Sequence, residues 1–247
     1  MTLPIRNETI SHSPPREVRP TIRQRDYSRR SNWQPSGGRV DPVAAVAQAP
    51  TRPIAAIQSL AIAMEAKDSY TRGHSLRVSG YAAAMASNMR FTHAEAEKLR
   101  LAAELHDIGK LAVREDLLHK DGALTELEYQ EVMSHTTVGE RILAPLFVDD
   151  STVLSVVRWH HERFDGTGSP DGLAGDTIPL TARIVAVADS FDAMTSARPY
   201  RSPLPVSAAL KELETHSGSQ FDSACVRAFE EILLGAGAVE TSEAVAA

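Results

Sequence analysis

The chain has a single cysteine, Cys225, and only 5% of its residues are aromatic. One cysteine excludes an intramolecular disulfide and any thiolate-based zinc finger, and it fits a reducing compartment in which the thiol packs as a small hydrophobe. Scarce Phe and Trp, abundant alanine and few alternating apolar-polar runs argue against a β-sandwich and for an all-α fold. No run of 18 or more apolar residues occurs, and the opening MTLPIRNETI lacks the charged-then-apolar layout of a secretory signal. The expectation is a cytoplasmic protein with no transmembrane segment.

Basic residues are also sparse over most of the length. Residues 1–52 hold nine arginines against four acids, whereas the remainder holds 17 basic and 28 acidic residues, for a net charge of -6. An acidic body is a poor platform for phosphate backbones, so DNA is not an expected partner. The first 52 residues combine Pro4, Pro14, Pro15, Pro20, Pro35, Pro42 and Pro50 with scattered Arg and Ser and show no periodic apolar face. They read as a disordered basic extension, too short and too polar for a receiver or sensory domain. The 43% hydrophobic content supplies one sizeable core, expected over 53–236, followed by a flexible tail over 237–247.

Within that body the apolar spacing predicts helices. The first runs from Pro53 to about Lys67 on Ile54, Ile57, Leu60, Ile62 and Met64. The second spans Thr71 to Met89, with His74 in its first turn. The third spans about Thr92 to Leu105, and its Thr92 and Glu95 suit a capping box. Thr125 and Glu128 suit another, opening a helix to about Ser134 with His135 at its end. A short helix follows to Pro145, and a helix over Val153 to His161 delivers two histidines at its C-terminal end. The stretch Glu162 to Pro179 holds four Gly and two Pro and reads as a long irregular loop beside those histidines. Helices resume over Leu180 to Met194, Val206 to Leu213 and Ser223 to Leu234.

The organising stretch is Leu105-His106-Asp107-Ile108-Gly109-Lys110, where an apolar helical face is interrupted by an imidazole, a carboxylate and an ammonium. Neighbouring helical residues point about 100° apart, so His106 and Asp107 share an ion only where the helix ends, and Gly109 is read as that ending. Five histidines, His74, His106, His135, His160 and His161, lie in or at the ends of helices, accompanied by Asp107 and Asp189. A donor set of imidazole and carboxylate without thiolate suits Fe, Mn, Zn or Co, and it is too rich for one tetrahedral zinc. Two ions bridged by Asp107 fit better. Such a pair, about 3.5–4 Å apart, can hold a bridging hydroxide and clamp both oxygens of a phosphodiester, which makes hydrolysis the natural chemistry. Glu162, Asp165 and Asp192 read as groups that orient histidines or arginine, while His12, His93, His119 and His216 carry no assigned role.

The ordered series His74, His106-Asp107-Ile108-Gly109-Lys110, His135, His160-His161-Glu162-Arg163-Phe164-Asp165-Gly166-Thr167-Gly168-Ser169-Pro170 and Val187-Ala188-Asp189-Ser190-Phe191-Asp192-Ala193-Met194 resembles the HD-GYP family over about Pro53 to Leu234. The resemblance implies an HD-domain helical bundle that hydrolyses the second messenger cyclic di-GMP to pGpG and on to GMP. It implies two divalent metal ions, Fe or Mn, held by His74, His106, Asp107, His135, His160, His161 and Asp189, with Asp107 as the bridge and Asp107 and Lys110 as catalytic residues. Lys110, Arg163, Arg183, Arg198, Tyr200 and Arg201 are the implied contacts to the cyclic dinucleotide, since arginine offers bidentate contacts to phosphate and stacks on bases.

Two positions depart from the family pattern. The family's Gly-Tyr-Pro stands here as Gly168-Ser169-Pro170, and Tyr70 occupies a position where some relatives carry a glutamate that holds a third metal. Two other readings stay open: an HD phosphohydrolase of a different nucleotide, and a catalytically silent cyclic di-GMP-binding or interaction module. A homodimer through the Ile54 to Met64 helix and a signalling protein partner are further expectations.

Overall fold

The computed structural model describes residues 51–67, 73–120, 122–148, 150–197 and 202–235. The expected extension up to residue 50, Tyr70, Arg198, Tyr200, Arg201 and the expected tail lie outside the described residues. The helices are α1 (Thr51–Lys67), α2 (His74–Asn88), α3 (His93–Leu105), α4 (Glu115–Leu118), α5 (Glu126–Met133), α6 (His135–Leu143), α7 (Ser151–Trp159), α8 (Leu180–Thr195), α9 (Val206–Thr215) and α10 (Ser223–Gly235), with 3-10 helices at Ile108–Ala112 and Gly175–Thr177. Among the described residues only isolated β-bridges accompany them, one of which pairs Asp165 with Ala174.

The core lies where α2, α3, α7 and α8 pack on one another, and α9 and α10 close its far side. Each helix buries a stripe at helical spacing: Val78, Ala82, Met85 and Ala86 from α2, Leu99, Ala102, Ala103 and Leu105 from α3, Val153, Val156 and Val157 from α7, and Ile184, Val185, Val187, Ala188 and Phe191 from α8. Tyr81 packs edge to face on both Phe191 and Phe229, and the two phenylalanine rings meet at a tilt. Cys225 is fully buried beside Phe229, and burial pushes its thiol pKa up, as befits a packing residue.

Both capping boxes form. Thr92 accepts from the Glu95 amide while the Glu95 carboxylate accepts from the Thr92 amide, and Thr125 and Glu128 do the same at α5. Two expectations need correction. His135 opens α6 rather than ending the helix before it, because the chain reinitiates a turn directly after Ser134. The third helix ends at Leu105, ahead of Gly109, so Gly109 does not terminate it. Gly109 instead lies in the following 3-10 helix, pressed on α6.

Candidate metal centre

Helix ends deliver the site. His106 sits at the C-terminal cap of α3 and Asp107 caps the 3-10 helix after it, so the change of helix type lets both side chains turn to one point. His74 and His135 are the first residues of α2 and α6, His160 caps α7 and His161 follows it, and Asp189 lies midway along α8.

These side chains form two groups in which one donor atom from each residue lies within 4.8 Å of the others: His74, His106 and Asp107, and His135, His160 and His161. Asp107 faces both. Its Oδ2 lies 3.4 Å from His106 Nε2 and its Oδ1 lies 3.4 Å from His135 Nε2. Asp189 Oδ1 joins the first group at 3.1 Å from His74 Nε2. The rings of His106 and His160 pack edge to face at 4.9 Å between centroids, which brings the two groups together.

Hydrogen bonding leaves the inner nitrogens as lone-pair donors. Nδ1 of His106 donates to the Ala103 carbonyl at 2.8 Å, Nδ1 of His135 to Val132 at 2.7 Å, and Nδ1 of His160 to Val156 and Val157 at 3.1 Å. A carbonyl only accepts, so the proton belongs on Nδ1 and Nε2 is bare. Bare Nε2 atoms of His135 and His160 then face each other at 3.3 Å, and His106 Nε2 is buried with no hydrogen-bond partner. Facing lone pairs and an orphaned buried nitrogen are costly unless a cation takes them up. The donor set therefore fits divalent metal ions, which would be held by the two groups with Asp107 between them.

The electrostatics agree with this geometry. Burial and the fields of neighbouring histidines hold His160 well below the usual imidazole range, and burial with the field of His135 lowers His161 to about 4. Burial likewise lowers His135. Burial works against charge on Asp107, but the positive field around it, with Lys110 beside it, outweighs burial and holds the carboxyl well below the usual carboxylate range. His74 is the exception: burial opposes its charge, yet hydrogen bonds to Asp189 and Asp192 raise it to about 10. A proton on Nε2 stands there where a cation would bind.

Lys110 directs Nζ to Asp107 Oδ2 at 2.5 Å, beside the centre. Arg163 and Arg183 are engaged elsewhere. Arg163 binds Asp165, Thr167 and Gln220, while Arg183 binds Asp176 and Asp222 and lies over the Phe164 ring. Their donors hold the 162–179 loop to the 216–222 turn, a duty that rests on pairings far apart in sequence. Glu162 does not orient a histidine either: it accepts from the amides of Asp171, Gly172 and Leu173 and folds the loop onto itself. Asp165 orients Arg163, and Asp192 orients His74. Sequence reading missed Arg77, which binds Asp192; its signal is a basic residue one turn after His74 on a helix with no other Lys, Arg, Asp or Glu.

The HD domain family model matches residues 53–225. A cyclic di-GMP phosphodiesterase of Thermotoga maritima is 39% identical over 177 residues, which span 70% of this chain and 47% of the relative. The cyclic di-GMP phosphodiesterase response regulator RpfG of Xanthomonas campestris is 41% identical over 70% of this chain and 46% of its own. The 3'3'-cGAMP-specific phosphodiesterase 3 of Vibrio cholerae is 41% identical over 69% of this chain and 37% of its own. The chain thus spans about half or less of the length of these curated relatives. Among solved structures, Bd1817, an HDG"Y"P protein of Bdellovibrio bacteriovorus, superposes with a TM-score of 0.55 at 23% identity, over 66% of this chain and 52% of that one. The cyclic GMP-AMP specific phosphodiesterase V-cGAP3 of V. cholerae superposes at 0.57 and 19% identity, over 73% of this chain and 48% of that one. By the family model, by these relatives and by the order of its histidine and aspartate motifs, the chain belongs to the HD domain family and to its HD-GYP type.

Proposed function

We propose that this chain hydrolyses a phosphodiester bond of cyclic di-GMP to give pGpG, and GMP on a second cut, with two divalent ions, Fe or Mn, at the His and Asp groups. The observation that carries the reading is Asp107, whose two oxygens each face a different histidine group at 3.4 Å. One carboxylate is thereby available to two ions. When bound, such ions supply a nucleophile at neutral pH and neutralise charge at the attacked phosphate.

The chain's own residues do the rest. His74, His106 and Asp189 on one side and His135, His160 and His161 on the other would hold the ions, and the main-chain carbonyls behind three of the rings keep them aimed inward. Lys110, 24% exposed at its side chain, is placed to move from Asp107 onto a phosphate oxygen and offset the charge developing there. Substrate contact falls to Lys110 and to the Arg198, Tyr200 and Arg201 segment, whereas Arg163 and Arg183 serve as loop-holding residues. The relatives named for cyclic di-GMP and for 3'3'-cGAMP support a cyclic dinucleotide of purines, and cyclic GMP-AMP is the second candidate because that relative matches equally well.

The test is turnover of both cyclic dinucleotides by protein loaded anaerobically with Fe(II) or Mn(II). Formation of pGpG is expected. Faster cleavage of 3'3'-cGAMP would transfer the assignment to that substrate, and tight binding without cleavage of either would select the silent binding module.

A further inference from the structure

His74 is gripped at both ring nitrogens by carboxylates one turn apart on α8. Nε2 lies 3.1 Å from Asp189 Oδ1, and Nδ1 lies 2.7 Å from Asp192 Oδ2. This sets it apart from His106, His135 and His160, whose Nδ1 atoms donate to carbonyls three or four residues earlier in the chain. Those three rings are oriented by backbone already laid down just before them. His74 is the first residue of α2, directly after the left-handed Gly73, and takes its orientation from a side chain 118 residues away.

The orienting carboxylate is itself held. Asp192 is 1% exposed, and Arg77 grips it with two parallel bonds, Nε to Oδ1 at 2.6 Å and Nη2 to Oδ2 at 2.9 Å. Ser196, which caps the C-terminal end of α8, donates to Oδ2 at 3.2 Å and accepts from Arg77 Nη2 at 3.0 Å. Arg77 follows His74 by one turn of α2, so the two helices are joined by a chain that runs Arg77, Asp192, His74. A bidentate guanidinium-carboxylate pair fixes direction as well as distance, which is what a ring-orienting acceptor requires.

We propose that Asp192 and Arg77 are positioning residues of the metal centre, setting the His74 ring so that the His74, His106 and Asp107 group retains its ion, with no bearing on the ion of the His135, His160 and His161 group. The inference rests on the two-ion reading given above. It follows from reach: Asp192 bonds His74, whereas the His135 and His160 rings are oriented by carbonyls three or four residues before them. Outer partners of metal-bound histidines typically contribute about 10–100-fold in metal affinity.

The experiment is a Mn(II) titration of D192A, D192N and R77Q against wild type, followed by metal analysis and by electron paramagnetic resonance, which distinguishes a coupled pair of Mn(II) ions from a single one. Wild type is expected to hold two ions. D192A should hold one at wild-type affinity and the other about 10–100-fold more weakly, with the signal of a coupled pair giving way to that of a lone Mn(II). D192N keeps an oxygen that accepts from Nδ1 and should lose less. R77Q, whose side chain is 42% exposed in the wild type and whose loss leaves no cavity in the core, should fall between them. If D192A fails to fold, R77Q and D192N carry the test. Two tight ions in R77Q and in the folded Asp192 variants, or equal weakening of both ions, would overturn the inference while leaving the two-ion reading intact. A wild type that binds fewer than two ions would overturn both.

Discussion

Gly109 lies so close to His135 that a β-carbon on Gly109 would stand 1.9 Å from the His135 carbonyl oxygen and 2.6 Å from the Gly139 amide nitrogen. This contact seats the 3-10 helix carrying Lys110 on α6, and it brings Asp107 to His135. A methyl group there meets backbone, which cannot swing aside as a side chain would. G109A is expected to destabilise the fold by about 1–3 kcal/mol, the usual cost of overpacking. It should also widen the gap between Asp107 and His135, so that retention of one ion suffers more than the melting temperature suggests. Thermal melts combined with metal analysis check it; a variant with full metal content and unchanged stability would contradict the argument.

Lys110 and Asp107 make a second sharp case. Lys110 Nζ is 2.5 Å from Asp107 Oδ2, yet Lys110 contributes no atom to either histidine group. K110M retains the length and much of the volume of the side chain and removes its charge. Turnover is expected to fall about 100- to 1000-fold, as when one preorganised electrostatic group is lost, with both ions retained. Single-turnover rates beside metal content read this out. A variant that keeps wild-type turnover would remove Lys110 from the chemistry.

The histidines predict opposite pH limbs for the metal-free protein. His161 titrates at about 4 in the fold, chiefly because it is buried, against 6.5 unfolded, and His135 and His160 are lowered too. The unfolded chain therefore binds protons first as the pH falls, so the stability these rings contribute is present above 6.5 and lost from there towards 4. His74 runs the other way. Burial opposes its charge, but Asp189 and Asp192 raise it to about 10, so its contribution is complete below 6.5 and lost as the pH climbs towards 10. The melting temperature of chelator-treated protein should peak near neutrality and decline on both sides, and H74A should flatten the alkaline limb. A melting temperature that rises steadily from pH 6 to 10 would refute the assignment to His74.

What could be read from sequence here depended on distance along the chain. The capping boxes of Thr92 with Glu95 and of Thr125 with Glu128 span three residues, and local chemistry dictates them. The doublets His106-Asp107 and His160-His161 were conspicuous because adjacent polar groups on an apolar helix demand a common partner. Arg77 with Asp192 and Arg183 with Asp222 are 115 and 39 residues apart, and no periodicity announces such a pairing. The family resemblance implies substrate contacts for Arg163 and Arg183; packing adds that Gln220 takes a donor of Arg163 and that Asp176 and Asp222 share Nη1 of Arg183, whose Nε is buried without a hydrogen-bond partner. Gly109 was misread for a related cause, since a glycine that ends a helix and one that admits a neighbouring helix look identical in a linear chain.

The same distinction separates Gly168 from Ser169 in the loop beside His161. A β-carbon on Gly168 would stand 2.2 Å from the Arg163 amide nitrogen and 2.6 Å from Glu162 Cα, so this position admits no side chain. Ser169 holds the loop through its backbone, donating its amide to the His161 carbonyl at 3.2 Å, a bond that does not depend on which side chain it carries. Its side chain is only half-buried. S169Y, which restores the family's aromatic residue, is therefore expected to keep both ions and to change stability by no more than about 0.5 kcal/mol, the usual range for substitutions away from the core. G168A should cost about 1–3 kcal/mol and loosen the ion of the His135, His160 and His161 group, because the displaced loop pulls on the residue after His160. Comparing the two variants by melting and metal analysis tests whether the loop acts on the centre through its backbone; a stable, fully loaded G168A beside a metal-poor S169Y would reverse the argument.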